Sequence, residues 1–75
     1  METIAIKTPF IKLDQLLKFS GISQNGVDAK QLILQGLVRY NGEVEVKRGK
    51  KVYPGDLVEV HGIQDAPVRI KVLSA

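Results

Sequence analysis

The spacing of apolar residues changes at Gly36, and this change constrains the fold more than any other feature of the chain. Between Leu13 and Gly36, leucine and isoleucine recur at the intervals of an amphipathic helix. After it, apolar and polar residues alternate, which predicts strands. Asn41-Gly42 interrupts this alternation and is a strong hairpin signal, because both residues tolerate positive φ. Helices that precede a run of strands are typical of an α+β domain.

Two short helices are predicted in the first half of the chain. Apolar spacing predicts the first over Leu13–Phe19, with Ser20-Gly21 ending it. Asn25 is a good N-cap for the second helix, and Gly36 stands where a helix-ending glycine is expected. We expect the helices to bury a set of apolar side chains together with two phenylalanine rings: Leu13, Leu16, Leu17, Ala29, Leu32, Ile33, Phe10 and Phe19.

Alternation predicts strands over 3–7, 37–40, 43–46, 52–53, 57–60 and 68–73. Pro54-Gly55 predicts a type II turn between two of them. The expected architecture is a single domain over residues 1–75, in which the two helices pack on one face of a small, mainly antiparallel, twisted sheet.

The residue content argues against an enzyme, a metalloprotein and a membrane protein. Cysteine is absent, His61 is the single histidine, and no GxxxxGK phosphate-binding motif occurs. No apolar run approaches the roughly 20 residues that a membrane-spanning helix needs. We therefore expect a cytoplasmic, non-enzymatic protein with no catalytic residues, no cofactor, no metal and no membrane partner.

The net charge of +3 is mild, but it is unevenly distributed. Four of the 11 basic residues lie between Val46 and Tyr53 without an acidic residue, which leaves seven bases against eight acids elsewhere. The positive charge is therefore local to one loop. Such a loop attracts a polyanion through counterion release, or it is a solvated turn that protects a sheet edge.

Several segments resemble the RNA-binding domain of the ribosomal protein S-four type, also called the alpha-L motif. The resemblance covers residues 11–60 and is carried by the segments Lys12-Leu13-Asp14-Gln15-Leu16-Leu17, Ala29-Lys30-Gln31-Leu32-Ile33, Gln35-Gly36-Leu37-Val38-Arg39-Tyr40-Asn41-Gly42 and Gly55-Asp56-Leu57-Val58-Glu59-Val60. With a strand added on each side of this core, the chain is similar to the small stand-alone bacterial members, the YaaA-like branch.

The resemblance implies binding of structured RNA by the helix pair and the adjacent hairpin. The basic residues that it and the charge pattern assign to this surface are Lys12, Lys18, Lys30, Arg39, Lys47, Arg48, Lys50 and Lys51. Asn25-Gly26 replaces the serine-arginine of many members, and Gln35 replaces a histidine. Because aromatic residues are few and the phenylalanines are expected in the core, recognition of backbone and shape is favoured over base stacking.

Two functions remain open at this point. The first is a non-enzymatic, translation-associated RNA-binding protein that contacts structured RNA, either ribosomal or transfer RNA. The alternative is a protein-interaction adaptor in a ribosome- or replication-associated complex, whose basic loop meets an acidic protein.

Overall fold

Two helices and seven strands form the part of the chain that the structure, a computed structural model, describes, namely residues 1–22 and 28–75. Their order is β1 (Glu2–Ile6), β2 (Ile11–Lys12), α1 (Leu13–Phe19), α2 (Ala29–Leu34), β3 (Val38–Tyr40), β4 (Glu43–Val44), β5 (Lys51–Val52), β6 (Leu57–Val60) and β7 (Val68–Ser74). The α+β class is confirmed, and α1 has the predicted bounds.

The described strands form a five-stranded sheet in the order β1-β7-β6-β3-β4 and a two-stranded sheet of β2 and β5. In the larger sheet only β1 and β7 pair in parallel, while the other pairs are antiparallel. The second sheet is small, but it joins the segment before α1 to the basic loop that precedes β5. This connection positions the candidate site.

Both helices end in the same hydrogen-bonded motif. After α2, the Gly36 N–H donates to the Ile33 carbonyl and the Leu37 N–H donates to the Leu32 carbonyl, each at 3.1 Å. This pattern needs a left-handed residue at its turn, and Gly36 has a φ of 76°. The glycine therefore ends the helix and releases the chain into β3.

The start of α2 differs from the expected one. Asp28 is its N-cap, and the side-chain Oδ1 accepts a hydrogen bond from the Lys30 N–H at 3.0 Å. The predicted cap at Asn25 lies outside the described residues.

The predicted hairpin and the predicted turn are both present. Asn41 and Gly42 have φ values of 50° and 90°, as a two-residue turn between β3 and β4 requires. The strand predicted over 43–46 is shorter, because β4 covers only Glu43–Val44. The Pro54-Gly55 turn is closed by a 3.0 Å hydrogen bond from the Asp56 N–H to the Tyr53 carbonyl.

The core lies between the helices and one face of the sheet. Its buried residues are Ile4, Ile6, Leu13, Leu16, Leu17, Ala29, Leu32, Ile33, Val38, Val52, Val58, Val60, Ile70 and Val72. The prediction that Phe10 and Phe19 are core residues was wrong. Phe19 is 71% exposed because it lies outside the stripe formed by the three buried leucines of α1, and Phe10 is only half-buried.

Candidate nucleic-acid interface

The pairing of β2 with β5 places two lysines side by side. Lys12 is the direct partner of Lys51 in this antiparallel pair, and Ile11 is the partner of Val52. Val52 is fully buried, whereas both lysines are exposed. Side chains alternate between the faces of a strand, so burial of Val52 turns Lys51 toward solvent beside Lys12.

The basic loop is held against the N-terminus of α1 through its backbone. The carbonyl of Lys50 accepts from the Leu13 N–H at 2.9 Å, and the carbonyl of Arg48 accepts from the Asp14 N–H at 3.0 Å. Lys12, the N-cap residue, has no side-chain cap hydrogen bond, so these carbonyls satisfy N–H groups that a helix leaves free.

A turn within this loop projects its central residues outward. The Lys50 N–H donates to the Lys47 carbonyl at 3.1 Å, which closes a turn around Arg48 and Gly49. Arg48 and Lys47 are exposed, while Lys50 is half-buried. Because the loop is fixed to α1, these cations lie together with Lys12.

We call this group the basic cluster, and its members are Lys12, Lys47, Arg48, Lys50 and Lys51. One ion pair is present within residues 1–22 and 28–75. It joins Arg69 to Glu59, with 3.0 Å between Nε and Oε2. No member of the basic cluster forms a direct ion pair in that part of the chain, although the Lys50 charge lowers the pKa of the Asp56 carboxyl. Its charges are therefore available to an external anion.

Two of these lysines also contact aromatic rings. The Lys50 ammonium lies 4.9 Å from the centre of the Tyr40 ring, and the Lys51 ammonium lies 4.8 Å from the centre of the Phe10 ring. Both distances are within the range of cation–π attraction. The aromatic contacts hold the lysines near the surface without neutralising their charge.

A hydrogen-bonded network centred on Asp56 supports the surface beside the basic cluster. The carboxylate accepts from the Tyr40 hydroxyl, from the Tyr53 N–H at 2.8 Å and from Asn41 Nδ2 at 3.2 Å. Asn41 Oδ1 in turn accepts from the Leu57 N–H at 2.8 Å. The network thus joins the Asn41-Gly42 hairpin turn to the Pro54-Gly55 turn.

The network shifts two pKa values in opposite directions. Burial raises the pKa of the Asp56 carboxyl, but its hydrogen bonds and the nearby Lys50 charge outweigh this effect and hold the pKa below the usual 3.8. The hydrogen bond to Asp56, with burial, raises the pKa of Tyr40 to about 12. The network is therefore built from an ionised carboxylate and a protonated phenol.

The other three basic residues predicted for the interface lie on α1, α2 and β3, outside the basic cluster. Lys18 is exposed in the last turn of α1, and Lys30 is exposed in the first turn of α2. Arg39 lies on the sheet face opposite the buried Val38, directly across from Glu59. The structure thus brings five of the eight predicted residues into one cluster.

Sequence reasoning missed the roles of two residues beside the basic cluster, Asp56 and Tyr53. Asp56 entered as part of the family resemblance, and its side-chain partners Tyr40 and Asn41 are 16 and 15 residues away. Tyr53 is 46% exposed beside the basic cluster. A signal for Tyr53 was available, since it follows the inward-facing Val52 in an alternating segment and must therefore point outward.

The residues that the structure describes contain no group of three or more side chains arranged to hold a metal ion. Their helices are too short and too polar to cross a membrane.

The fold and its surface define a small α+β domain with a helix pair, a hairpin and a localised basic cluster. The family model of the S4 domain matches residues 4–70, and the chain therefore belongs to the S4-domain family. This is the family that the motifs of residues 11–60 resembled, so that prediction is confirmed.

Two bacterial relatives are similar to the chain over most of their length. "Probable ribosome maturation protein RlbA" of Bacillus subtilis (strain 168) is 41% identical over 59 residues, which are 79% of this chain and 83% of the relative. "Putative RNA-binding protein YbcJ" of Escherichia coli (strain K12) is 38% identical over 56 residues, which are 75% of this chain and 80% of the relative.

Proposed function

We propose that the chain is a non-enzymatic RNA-binding protein that contacts structured RNA, with ribosomal or transfer RNA as the target class. The basic cluster is the main contact surface, and Lys18, Lys30 and Arg39 extend it. Membership of the S4-domain family and the names of the two relatives support an RNA partner.

The observation that carries the proposal is the pairing of Lys12 with Lys51 beside the loop that is fixed to α1. Phosphate groups along an RNA backbone are closely spaced, so adjacent cations on a rigid surface can neutralise several of them at once. No direct ion pair involves the cluster among the described residues, so binding does not require an ion pair there to break. These contacts position RNA and read little of its sequence.

Binding to structured RNA is expected to weaken steeply with salt. Each phosphate contact contributes about one unit to the slope of log affinity against log salt concentration, so three to five contacts give a slope of about −3 to −5. Filter binding or fluorescence anisotropy with a transfer RNA and a ribosomal RNA fragment, over a salt series, measures this slope. A slope near zero, or equal affinity for an unstructured RNA of the same length, would contradict the proposal.

Gly49 provides a probe of the cluster that leaves the fold unchanged. Its φ is not positive, and a Cβ at this position meets no atom within 4 Å. We expect Gly49→Glu to lower RNA affinity about fivefold at low salt, because one added negative charge opposes phosphate by ~1 kcal/mol. Gly49→Ala is the matched control and should keep wild-type affinity, with stability equal or higher by roughly 0.4–1 kcal/mol. Equal RNA affinities of the two variants would mean that RNA binds to a surface other than the basic cluster.

The adaptor function is the second candidate, and exposed apolar side chains on the helix pair favour it. Phe19 ends α1 and is 71% exposed, and Leu34 ends α2 and is 54% exposed. Large exposed apolar residues are typical of protein-binding surfaces when they are contiguous. A pull-down after nuclease treatment distinguishes the two functions, because retention of a protein partner without RNA supports the adaptor.

A further inference from the structure

An aromatic pair lies directly beside the basic cluster. The rings of Phe10 and Tyr53 have centres 5.9 Å apart and planes inclined at 53°, which is a favourable aromatic contact. Phe10 is half-buried, while Tyr53 is 46% exposed. The exposed ring is therefore backed by another ring.

The position of Tyr53 is fixed before any ligand binds. Its N–H donates to Asp56 Oδ2 at 2.8 Å, and its carbonyl closes the Pro54-Gly55 turn. The residue that precedes it, Val52, is fully buried in the core. Because the backbone is held at these points, little conformational entropy is lost when a ligand contacts the ring.

The same pair is in contact with a cation of the basic cluster. The Lys51 ammonium lies 4.8 Å from the centre of the Phe10 ring, and Lys51 is the strand partner of Lys12. A single aromatic ring thus separates the Lys51 charge from the exposed Tyr53 ring. An aromatic platform and a cation thus contact the same Phe10 ring, and these are the two kinds of group that bind a base and a phosphate.

We propose that Tyr53 is a stacking platform for an unpaired base in the bound RNA, while Lys51 and Lys12 hold the adjacent phosphates. This inference rests on the proposed function and narrows its target class to RNA helices that are interrupted by an unpaired nucleotide. Bases in a continuous A-form helix are stacked on each other and cannot contact the ring, whereas a bulged or loop base can. Base–aromatic stacking is tolerant of base identity, so the site selects RNA shape more than sequence.

The test compares two RNA hairpins that differ only by one bulged nucleotide, a fluorescent adenine analogue. Wild-type protein is expected to bind the bulged hairpin about tenfold more tightly than the continuous one and to change the emission of the analogue on binding. Tyr53→Ala should lose this preference and the emission change, while its affinity for the continuous hairpin stays the same. Tyr53→Phe keeps the ring and should behave as wild type.

The outcomes separate this inference from the function on which it rests. If all three proteins bind both hairpins equally and with a steep salt dependence, the stacking site is wrong and RNA binding stands. If no protein binds either hairpin or the transfer and ribosomal RNA fragments, the proposed function itself is wrong. Equal loss of affinity for both hairpins in Tyr53→Ala would also overturn the stacking role, because it would indicate a structural effect.

Discussion

Reversing Lys12 and Lys51 together to glutamate is expected to lower the affinity for structured RNA on the order of 100-fold at low salt. The two residues are strand partners at the centre of the basic cluster, so the change removes two adjacent cations and adds two anions at the same place. The slope of log affinity against log salt should become shallower by about two units. Fluorescence anisotropy over a salt series measures both quantities.

The same variant should fold as well as the wild type, which makes the loss of binding interpretable. Positions 12 and 51 carry two positive charges before the change and two negative charges after it. The repulsion between the paired strands is therefore similar in the two proteins. A carboxylate at position 12 is favourable beside the N-terminus of α1, where a lysine is not. Loss of the Lys51 contact with the Phe10 ring costs about 0.5–1 kcal/mol.

A matched control reverses the same number of charges elsewhere. Arg69→Glu with Lys71→Glu alters two residues of β7, at the cost of the Glu59 ion pair and of the hydrogen bond from Lys71 Nζ to the Gly55 carbonyl. Glu59 is only 16% exposed and then lies opposite a second carboxylate, and Lys71 is half-buried, so urea denaturation first checks that the control is folded. The control should lose much less affinity than the cluster variant. An equal loss in the two variants would mean that total charge, and not the basic cluster, determines binding.

The parts of the fold that could be predicted depend on local signals. Helical spacing of leucines located α1, glycines marked the helix ends, and Asn41-Gly42 located the hairpin. Each of these signals acts within a few residues of the chain. The family resemblance was available for the same reason, since its motifs are the short helix, turn and strand segments in which these signals lie.

The candidate site was less predictable because it depends on contacts between distant residues. Backbone carbonyls of Lys50 and Arg48 cap a helix that begins at Leu13, and no side-chain pattern records such contacts. Phe19 shows a different kind of error. At 3.6 residues per turn it lies about 110° from the centre of the buried leucine stripe, so stricter use of the helical period would have predicted its exposure.

Removing the Asp56 carboxylate is expected to be among the most destabilising single changes to a surface-exposed region of this fold. Asp56→Ala leaves the Tyr40 hydroxyl, the Tyr53 N–H and Asn41 Nδ2 without their acceptor, and it should lower the free energy of unfolding by about 3 kcal/mol. A domain of this size has a stability of roughly 3–5 kcal/mol, so the loss is a large fraction of it. Urea denaturation followed by circular dichroism measures the effect.

A double-mutant cycle with Tyr40→Phe shows whether the network acts as a unit. Tyr40→Phe alone should lower the free energy of unfolding by about 1–2 kcal/mol. The change removes the hydroxyl donor, so Asp56 Oδ2 keeps only the hydrogen bond from the Tyr53 N–H. In the Asp56→Ala background the same change should cost much less, since the partner is already absent. Additive losses would contradict direct coupling between the two side chains.

The pH dependence of stability gives an independent test, and the two groups act at opposite ends of the scale. The pKa of Asp56 is lowered in the folded protein, so the ionised carboxylate stabilises the fold at pH values above the usual pKa of 3.8. This stabilisation is lost as the pH falls through the lowered pKa. The pKa of Tyr40 is raised from 10.0 to about 12, so its contribution is present below pH 10.0 and is lost as the pH rises toward 12. Tyr40→Phe should flatten the alkaline decline, and Asp56→Asn should flatten the acid decline. Profiles that keep their wild-type shape in both variants would mean that other groups control the stability of the fold at its pH limits.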